Sequence, residues 1–299
     1  MRKKNIIVLF AVLSLFVVSP AGAVTNGQPD GNNHPYVGLI VFYSGLDANN
    51  HPIPLWRCSG SLLSDTVFLT AAHCVTDPIP AFAHIWFSPI VQGQTPGQPT
   101  DYAKYPYGGY DASSSDLVAM PGYGTPNPAN TKSSGLPAFD YHDVALVINL
   151  EWTGTALSTF AALPVNGYVD TLPMKTVVTL VGYGVSDQLR IPGSAYPPPG
   201  QDGGSTPPYL RWAGRARTYA PSQLTQSNNV ISNEYLKLTA NPGQDKGGTC
   251  FGDSGGPILD GNTVLGVNSF VTNVNCGGVT YSNRVDTTDA LAFIAGYLS

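Results

Sequence analysis

The sequence is short of charge: Asp, Glu, Lys and Arg make up only 11% of its 299 residues. Beyond Arg2, Lys3 and Lys4 no basic residues cluster, and acidic residues outnumber basic ones 19 to 14. That excludes the electrostatic footprint of a nucleic-acid binder or an anionic-lipid binder. There is no C-x-x-C, and of the histidines only His73 adjoins a cysteine, so neither a metal nor a cofactor is expected. No internal repeat occurs, which excludes a solenoid. Past residue 18 no apolar run is long enough to cross a bilayer. Disorder is excluded in turn, because apolar residues still make up 42% of the chain and supply a core.

The N-terminus carries the one long apolar run, Ile6 to Val18, after the basic triplet and before Ser19-Pro20-Ala21-Gly22-Ala23. A charged start, an apolar stretch and a small-residue cleavage site read as a secretory signal peptide over residues 1–23. Its removal takes away three basic residues and no acidic one, moving the net charge from −5 to −8. The mature chain, residues 24–299, is then expected outside the cytoplasm, extracellular or periplasmic, with no membrane attachment.

What the sequence has in abundance is glycine and proline, 33 and 26 residues, set between short runs of β-formers. Examples are Tyr36–Phe42, Val67–Thr70, Val144–Ile148, Thr176–Val181, Val264–Val267 and Val279–Tyr281. Short strands punctuated by turn residues predict an all-β sandwich or barrel. The good helix candidate is the C-terminus: Asp286-Thr287-Thr288-Asp289 offers caps, and Ala290, Leu291, Phe293, Ile294, Tyr297 and Leu298 follow at helical spacing. Residues 88–139 and 186–209, rich in Pro, Gly, Tyr and Ser, read as long loops. The four cysteines, Cys58, Cys74, Cys250 and Cys276, imply two disulfides in an exported chain. Three pairings are possible; 58–74 and 250–276 are favoured because each closes a short loop.

Two segments carry chemistry. Residues 249–257 read Thr-Cys-Phe-Gly-Asp-Ser-Gly-Gly-Pro, where a glycine-rich turn exposes a serine and lets backbone N–H groups face a developing oxyanion. A serine hydroxyl is a weak nucleophile until a base takes its proton. Residues 70–74 read Thr-Ala-Ala-His-Cys, behind Cys58-Ser59-Gly60-Ser61-Leu62-Leu63. Taken alone, either could be an ordinary turn or a structural histidine. Together and in this order, C-S-G-S-L-L, T-A-A-H-C and G-D-S-G-G-P resemble the trypsin/chymotrypsin family of serine proteases. The resemblance extends over essentially the whole mature chain, through Gly182-Tyr183-Gly184 and the terminal helix.

That resemblance implies two six-stranded antiparallel Greek-key barrels, about 24–150 and about 151–285, with the active site between them and a helix over about 286–299. It implies a secreted serine endopeptidase, a monomer acting on protein or peptide substrates. Ser254 would be the nucleophile, His73 the general base, and the N–H groups of Gly252 and Ser254 the oxyanion hole. For the carboxylate that orients His73, Asp116 and Asp143 compete. The family's aspartate opens a D-[IV]-A-L-L-type strand, which Asp143-Val144-Ala145-Leu146-Val147 matches, whereas Asp116 runs into the turn Met120-Pro121-Gly122. The Cys58–Cys74 and Cys250–Cys276 pairs match family disulfides flanking the histidine and the nucleophile.

Two finer expectations follow from the same resemblance. Val24-Thr25-Asn26-Gly27 resembles the family's mature start, so a new α-amino group on Val24 would pair with Asp253 and hold the oxyanion turn. Export would then itself activate the enzyme. The specificity pocket would draw on Gly248, Thr249, Ser269, Phe270 and Val271. Gly248 stands where a trypsin has aspartate, and Ser269-Phe270-Val271 resembles the elastases, so small or medium uncharged P1 residues are expected. The competing reading is a catalytically weak or inert protease scaffold acting as an extracellular binding module.

Overall fold

The computed structural model of the chain describes residues 24–91, 109–124, 141–184, 215–225, 233–241, 244–272 and 276–298. The signal segment and the expected loop 186–209 lie outside the described residues. In chain order the strands begin with β1 (Gln28–Pro29), β2 (Val37–Leu46), β3 (Pro52–Leu62), β4 (Val67–Thr70) and β5 (Phe82–Trp86). They continue with β6 (Ile90–Val91), β7 (Ala112–Ser114), β8 (Asp116–Ala119), β9 (Ala145–Ile148) and β10 (Glu151–Trp152). A short helix α1 (Tyr168–Thr171) precedes β11 (Val177–Gly182), β12 (Arg215–Ala216), β13 (Thr218–Leu224) and β14 (Tyr235–Ala240). Last come β15 (Pro257–Asp260), β16 (Thr263–Val271), β17 (Gly278–Arg284) and the helix α2 (Thr288–Ala295).

The fold is all-β, and the pairings between strands are antiparallel. The second sheet runs β1-β13-β11-β15-β16-β17-β14, and a further β13–β14 pairing closes six of its strands into a barrel. The first sheet runs β10-β7-β5-β2-β3-β4-β9-β8, eight strands against the six expected, with no closing pair among the described residues. Two of its strands, β7 and β8, fall inside 88–139, as does β6, which pairs with β12 in a separate two-stranded sheet; that stretch is therefore not one long loop, since Ala112–Ser114 and Asp116–Ala119 find partners in β5 and β9.

Sequence pattern explains the strands. β13 alternates buried and half-buried from Thr218 to Leu224, the period of a strand with one face inward. Val37 to Tyr43 in β2 is buried without a break, as a strand sandwiched on both faces must be. Gly38 is required there: a Cβ would sit 2.9–3.1 Å from Ile85, Phe87 and Phe68. Leu39, Ile40, Val41, Phe42, Leu69 and Ile85 are fully buried, and burying each such side chain stabilises the fold by about 1.5–3 kcal/mol. At the C-terminus the Thr287 hydroxyl caps α2 by accepting from Ala290 N at 3.3 Å, while Ala290 and Ile294 are buried in the large apolar cluster to which both sheets contribute. The expected helix forms. Both expected disulfides form too, Cys58–Cys74 and Cys250–Cys276.

Candidate active site

His73 sits in a 3-10 turn, Ala72–Cys74, directly after β4. Asp143 sits just before β9. These two strands pair antiparallel with Thr70 opposite Ala145, so the residues leaving one end of β4 and entering β9 must meet. They do. Asp143 Oδ1 accepts from His73 N at 2.9 Å, and Nδ1 of the imidazole lies 2.9 Å from Oδ2 and 3.1 Å from Oδ1. The contact fixes the ring through Nδ1. Asp116 lies elsewhere: it is exposed on β8 and accepts from Asn149 Nδ2 at 2.7 Å.

Asp143 is only 3% exposed. Burial alone would raise its carboxyl; the charge of a protonated His73 and hydrogen bonds from His73 and Ser269 outweigh it and hold the carboxyl below its ordinary value. The Ser269 hydroxyl is the contact that sequence reasoning missed. It was placed in the pocket wall, yet it donates to Asp143 Oδ2. Nothing in the local sequence of Ser269 signals that partner.

The turn that carries Ser254 is stitched to both sheets. Ser59 N in β3 donates to Ser254 O at 2.8 Å, and Gly255 N donates to Asn268 O in β16 at 2.7 Å. Thr70 Oγ1 donates to Ser59 O at 2.9 Å, tying β4 into the same network. Gly255 has φ of +77°, and a Cβ there would lie 2.1 Å from Thr70 Oγ1 and 2.7 Å from Ala71 N. Only glycine lets the turn carrying Ser254 press onto the segment leading to His73.

The same turn, Gly252 to Ser254, rests on a second support. Asp253 is fully buried, with Oδ1 accepting from Gly184 N at 2.8 Å and Oδ2 from Cys250 N at 2.9 Å. A Cβ on Gly182 or Gly184 would lie within 2.6 Å of that carboxylate, which gives Gly182-Tyr183-Gly184 its physical reason. Gly252 takes φ of +98°, and its carbonyl accepts from Ser59 Oγ at 2.9 Å.

Val24 is fully buried among Val178, Leu180 and Ala220 of the second sheet. Thr25 fixes it there: Thr25 N donates to Gly248 O at 2.9 Å and Gly248 N donates to Thr25 Oγ1 at 2.8 Å. Gly248 and Thr249, in the segment between β14 and β15, are buried, as are Ser269 and Val271 in β16, while the Phe270 ring stacks on Tyr281 at 5.0 Å. Val271 pairs with Thr280 across β16 and β17, and Thr280 Cγ2 lies 3.1 Å from where a Cβ on Gly248 would be. Thr280 is the second residue the sequence did not reveal. Cys58, His73 and Cys74 also lie together, but the two sulfurs are bonded to each other and offer no thiolate to a metal.

A family model described as Trypsin matches residues 25–292. The chain belongs to the trypsin family. Among curated proteins it is similar to the cercarial protease of Schistosoma mansoni, 29% identical over 248 residues, which cover 81% of this chain and 78% of that protein. Among solved structures it is similar in fold to HL collagenase, with a TM-score of 0.60 at 20% identity over 91% of this chain and 98% of that one. Human heparin binding protein is similar in fold with a TM-score of 0.53 at 15% identity, over 92% of this chain and 96% of that one. Proteases of this family act on protein substrates, and the two disulfides of this chain fit that family. Among the described residues no helix is long and apolar enough to cross a membrane.

Proposed function

We propose that this trypsin-family protein is an active, secreted serine endopeptidase using an acyl-enzyme mechanism. The observation that carries the reading is the bidentate contact of buried Asp143 with His73, beside the Ser254 turn. Asp143 holds the Nδ1–H tautomer, which leaves Nε2 as the base for the Ser254 hydroxyl. Ser254 attacks the peptide carbonyl, the oxyanion forms against the N–H groups of Gly252 and Ser254, and His73 returns the proton to the leaving amine. Water then repeats the sequence on the acyl-enzyme. No cofactor or metal takes part in these steps, and a monomer suffices for them.

The pocket before Ser254 favours small or medium uncharged P1 residues. Gly248 offers no charge for Lys or Arg, Val271 pairs with Thr280 across β16 and β17, and Thr280 Cγ2 lies 3.1 Å from where a Cβ on Gly248 would be. Removal of residues 1–23 is the activating step, a reading supported by the Thr25–Gly248 pairing, which ties the new N-terminal segment to the chain five residues before Asp253. The test of the main reading is a fluorophosphonate probe on the secreted protein. It labels Ser254, labelling disappears in Ser254→Ala and His73→Ala, and peptide hydrolysis disappears with it. Folded wild-type protein that takes no label would instead favour the inert binding module.

A further inference from the structure

Arg217 heads the fully buried side chains by size, and its charge is matched by an equally inaccessible carboxylate, Asp30, with Nε 2.9 Å from Oδ2. A buried ion pair seldom stabilises more than apolar residues of the same volume would, so stability alone does not call for one here. What distinguishes this pair is the spread of its contacts. Arg217 Nη1 donates to Val37 O in β2 and to Phe87 O just after β5, each at 3.0 Å. Nη2 donates to Gly31 O at 2.9 Å and Asn32 Oδ1 at 3.2 Å in the N-terminal segment. The residue itself lies immediately before β13 of the second sheet. On the other side Asp30 accepts from His34 N and meets His34 Nδ1 at 2.5 Å.

The remaining contact leads to the oxyanion turn. Arg217 Nη1 lies 3.4 Å from the Tyr183 hydroxyl, which donates in turn to Ser88 O at 2.8 Å. Tyr183 N donates to Ser59 Oγ at 2.9 Å, and Ser59 Oγ donates to Gly252 O at 2.9 Å. The next residue, Gly184, donates to Asp253. Two side chains therefore separate Arg217 from the peptide of Gly252.

We infer that Arg217 and Asp30 are a positioning pair for the oxyanion turn. The N-terminal segment supplies Asp30, Asp30 fixes Arg217, and Arg217 fixes Tyr183, whose N–H holds Ser59 and through it Gly252, and whose neighbour Gly184 holds Asp253. The placement of residues 30–34 is thereby coupled to catalysis by a route that does not pass through Val24. The inference rests on the acyl-transfer reading for its consequence in rate, but not for its consequence in structure.

The experiment uses the mature protein with Arg217→Met, Arg217→Lys, Asp30→Asn and Tyr183→Phe. Steady-state hydrolysis of a short peptide, hydrogen–deuterium exchange and Tm are measured on each. Arg217→Met and Asp30→Asn are expected to lower kcat by about tenfold or more with KM within about twofold, the pattern of a lost transition-state contact. Tyr183→Phe, which keeps the ring and loses only the hydroxyl link, lowers kcat by about threefold or more with Tm nearly unchanged. Arg217→Lys falls between wild type and Arg217→Met. Peptides covering 182–184 and 250–256 exchange faster in all of them. Variants that lose Tm but keep wild-type kcat and wild-type exchange at 250–256 overturn the inference and leave the pair purely structural. If Arg217→Met and Asp30→Asn do not fold, Tyr183→Phe decides it alone. If wild-type protein hydrolyses no peptide, the acyl-transfer reading fails, and exchange at 250–256 still decides the coupling.

Discussion

Ser269 donates its hydroxyl to Asp143 Oδ2, the same oxygen that lies 2.9 Å from His73 Nδ1. One carboxylate oxygen thus joins a serine of the second sheet to a histidine of the first, and the two sheets meet on it. Ser269→Ala removes one donor to a buried charge while leaving both His73 contacts. The expected outcome is a fall in kcat/KM of about tenfold, equivalent to about 1.4 kcal/mol. Asp143→Asn reverses the hydrogen-bonding requirement at Nδ1 and is expected to lower kcat by roughly 10⁴-fold. Peptide hydrolysis with circular dichroism as the folding control measures both. A Ser269→Ala variant as fast as wild type would return that residue to the pocket wall alone.

Acid affects this protein through groups of two kinds. The Asp143 carboxyl is held below its ordinary value, so its contribution to stability is complete above the usual carboxylate range and is lost as pH falls through the folded-state value. His84 acts earlier. It is packed among Tyr43, Phe82, Trp86 and Tyr110, with the Tyr110 ring centroid at 3.7 Å, and burial pushes its pKa down to about 4. Below about pH 6.5 the unfolded chain binds a proton that the folded one refuses. Stability is therefore expected to decline between about pH 6.5 and 4 and to be flatter in His84→Phe, whose ring needs no proton. Urea midpoints at pH 7, 6, 5 and 4 check this; parallel curves for wild type and His84→Phe would refute it.

The site was legible in sequence only where local chain geometry decides it. Ser254 and His73 sit in dense motifs, and Asp143 announces itself by opening the strand that pairs with β4. Ser269 does not, because its direction is set by an irregularity: the β16–β17 register shifts between Asn268 and Phe270, and such a bulge re-aims a side chain. Thr280 becomes part of the pocket through the same register. Arg217 reads as an ordinary strand-edge charge until Asp30, 187 residues away, is brought against it. The eight-stranded first sheet was hidden for a related reason. Ala112–Ser114 and Asp116–Ala119 are short, lie within a stretch rich in Pro, Gly and Tyr, and owe their strand form to neighbours remote in sequence.

The pairing of Val271 with Thr280 gives specificity a two-residue test. Replacing both by glycine opens the space in front of Gly248 without touching His73, Asp143 or Ser254. Each methylene in such a pocket is worth about 1–3 kcal/mol. The wild-type enzyme is expected to prefer residues such as Ala, Val or Thr at P1, and Val271→Gly/Thr280→Gly to move by more than about tenfold toward Phe or Leu. A peptide library profiled on both proteins reads the change directly. A dominant preference for Lys or Arg in wild type would refute the pocket assignment, and an unchanged profile in the double variant would place the P1 side chain elsewhere.

The N-terminal segment offers a last test. Thr25 is bonded to Gly248 in both directions, and Gly248 lies five residues before Asp253 in the same loop. A Cβ on Gly247 would lie 2.3 Å from Thr25 O and 3.4 Å from Val24 Cγ1, so residue 24 cannot shift along the groove without breaking this fit. On the proposed reading, a chain that begins at Val24 brings its α-amino group against the Asp253 turn, where a positive charge would favour the ionised carboxylate and the oxyanion geometry above it. N-terminal sequencing of secreted, active protein is therefore expected to read Val-Thr-Asn-Gly. Protein engineered to begin at Ala23 carries the charge one residue too far out, and its kcat is expected to fall by roughly 10²–10³-fold, the effect of a deformed oxyanion hole. Equal kcat for chains beginning at Ala23 and Val24 would separate activation from this terminus and leave the Asp30–Arg217 route as the one that orders the turn.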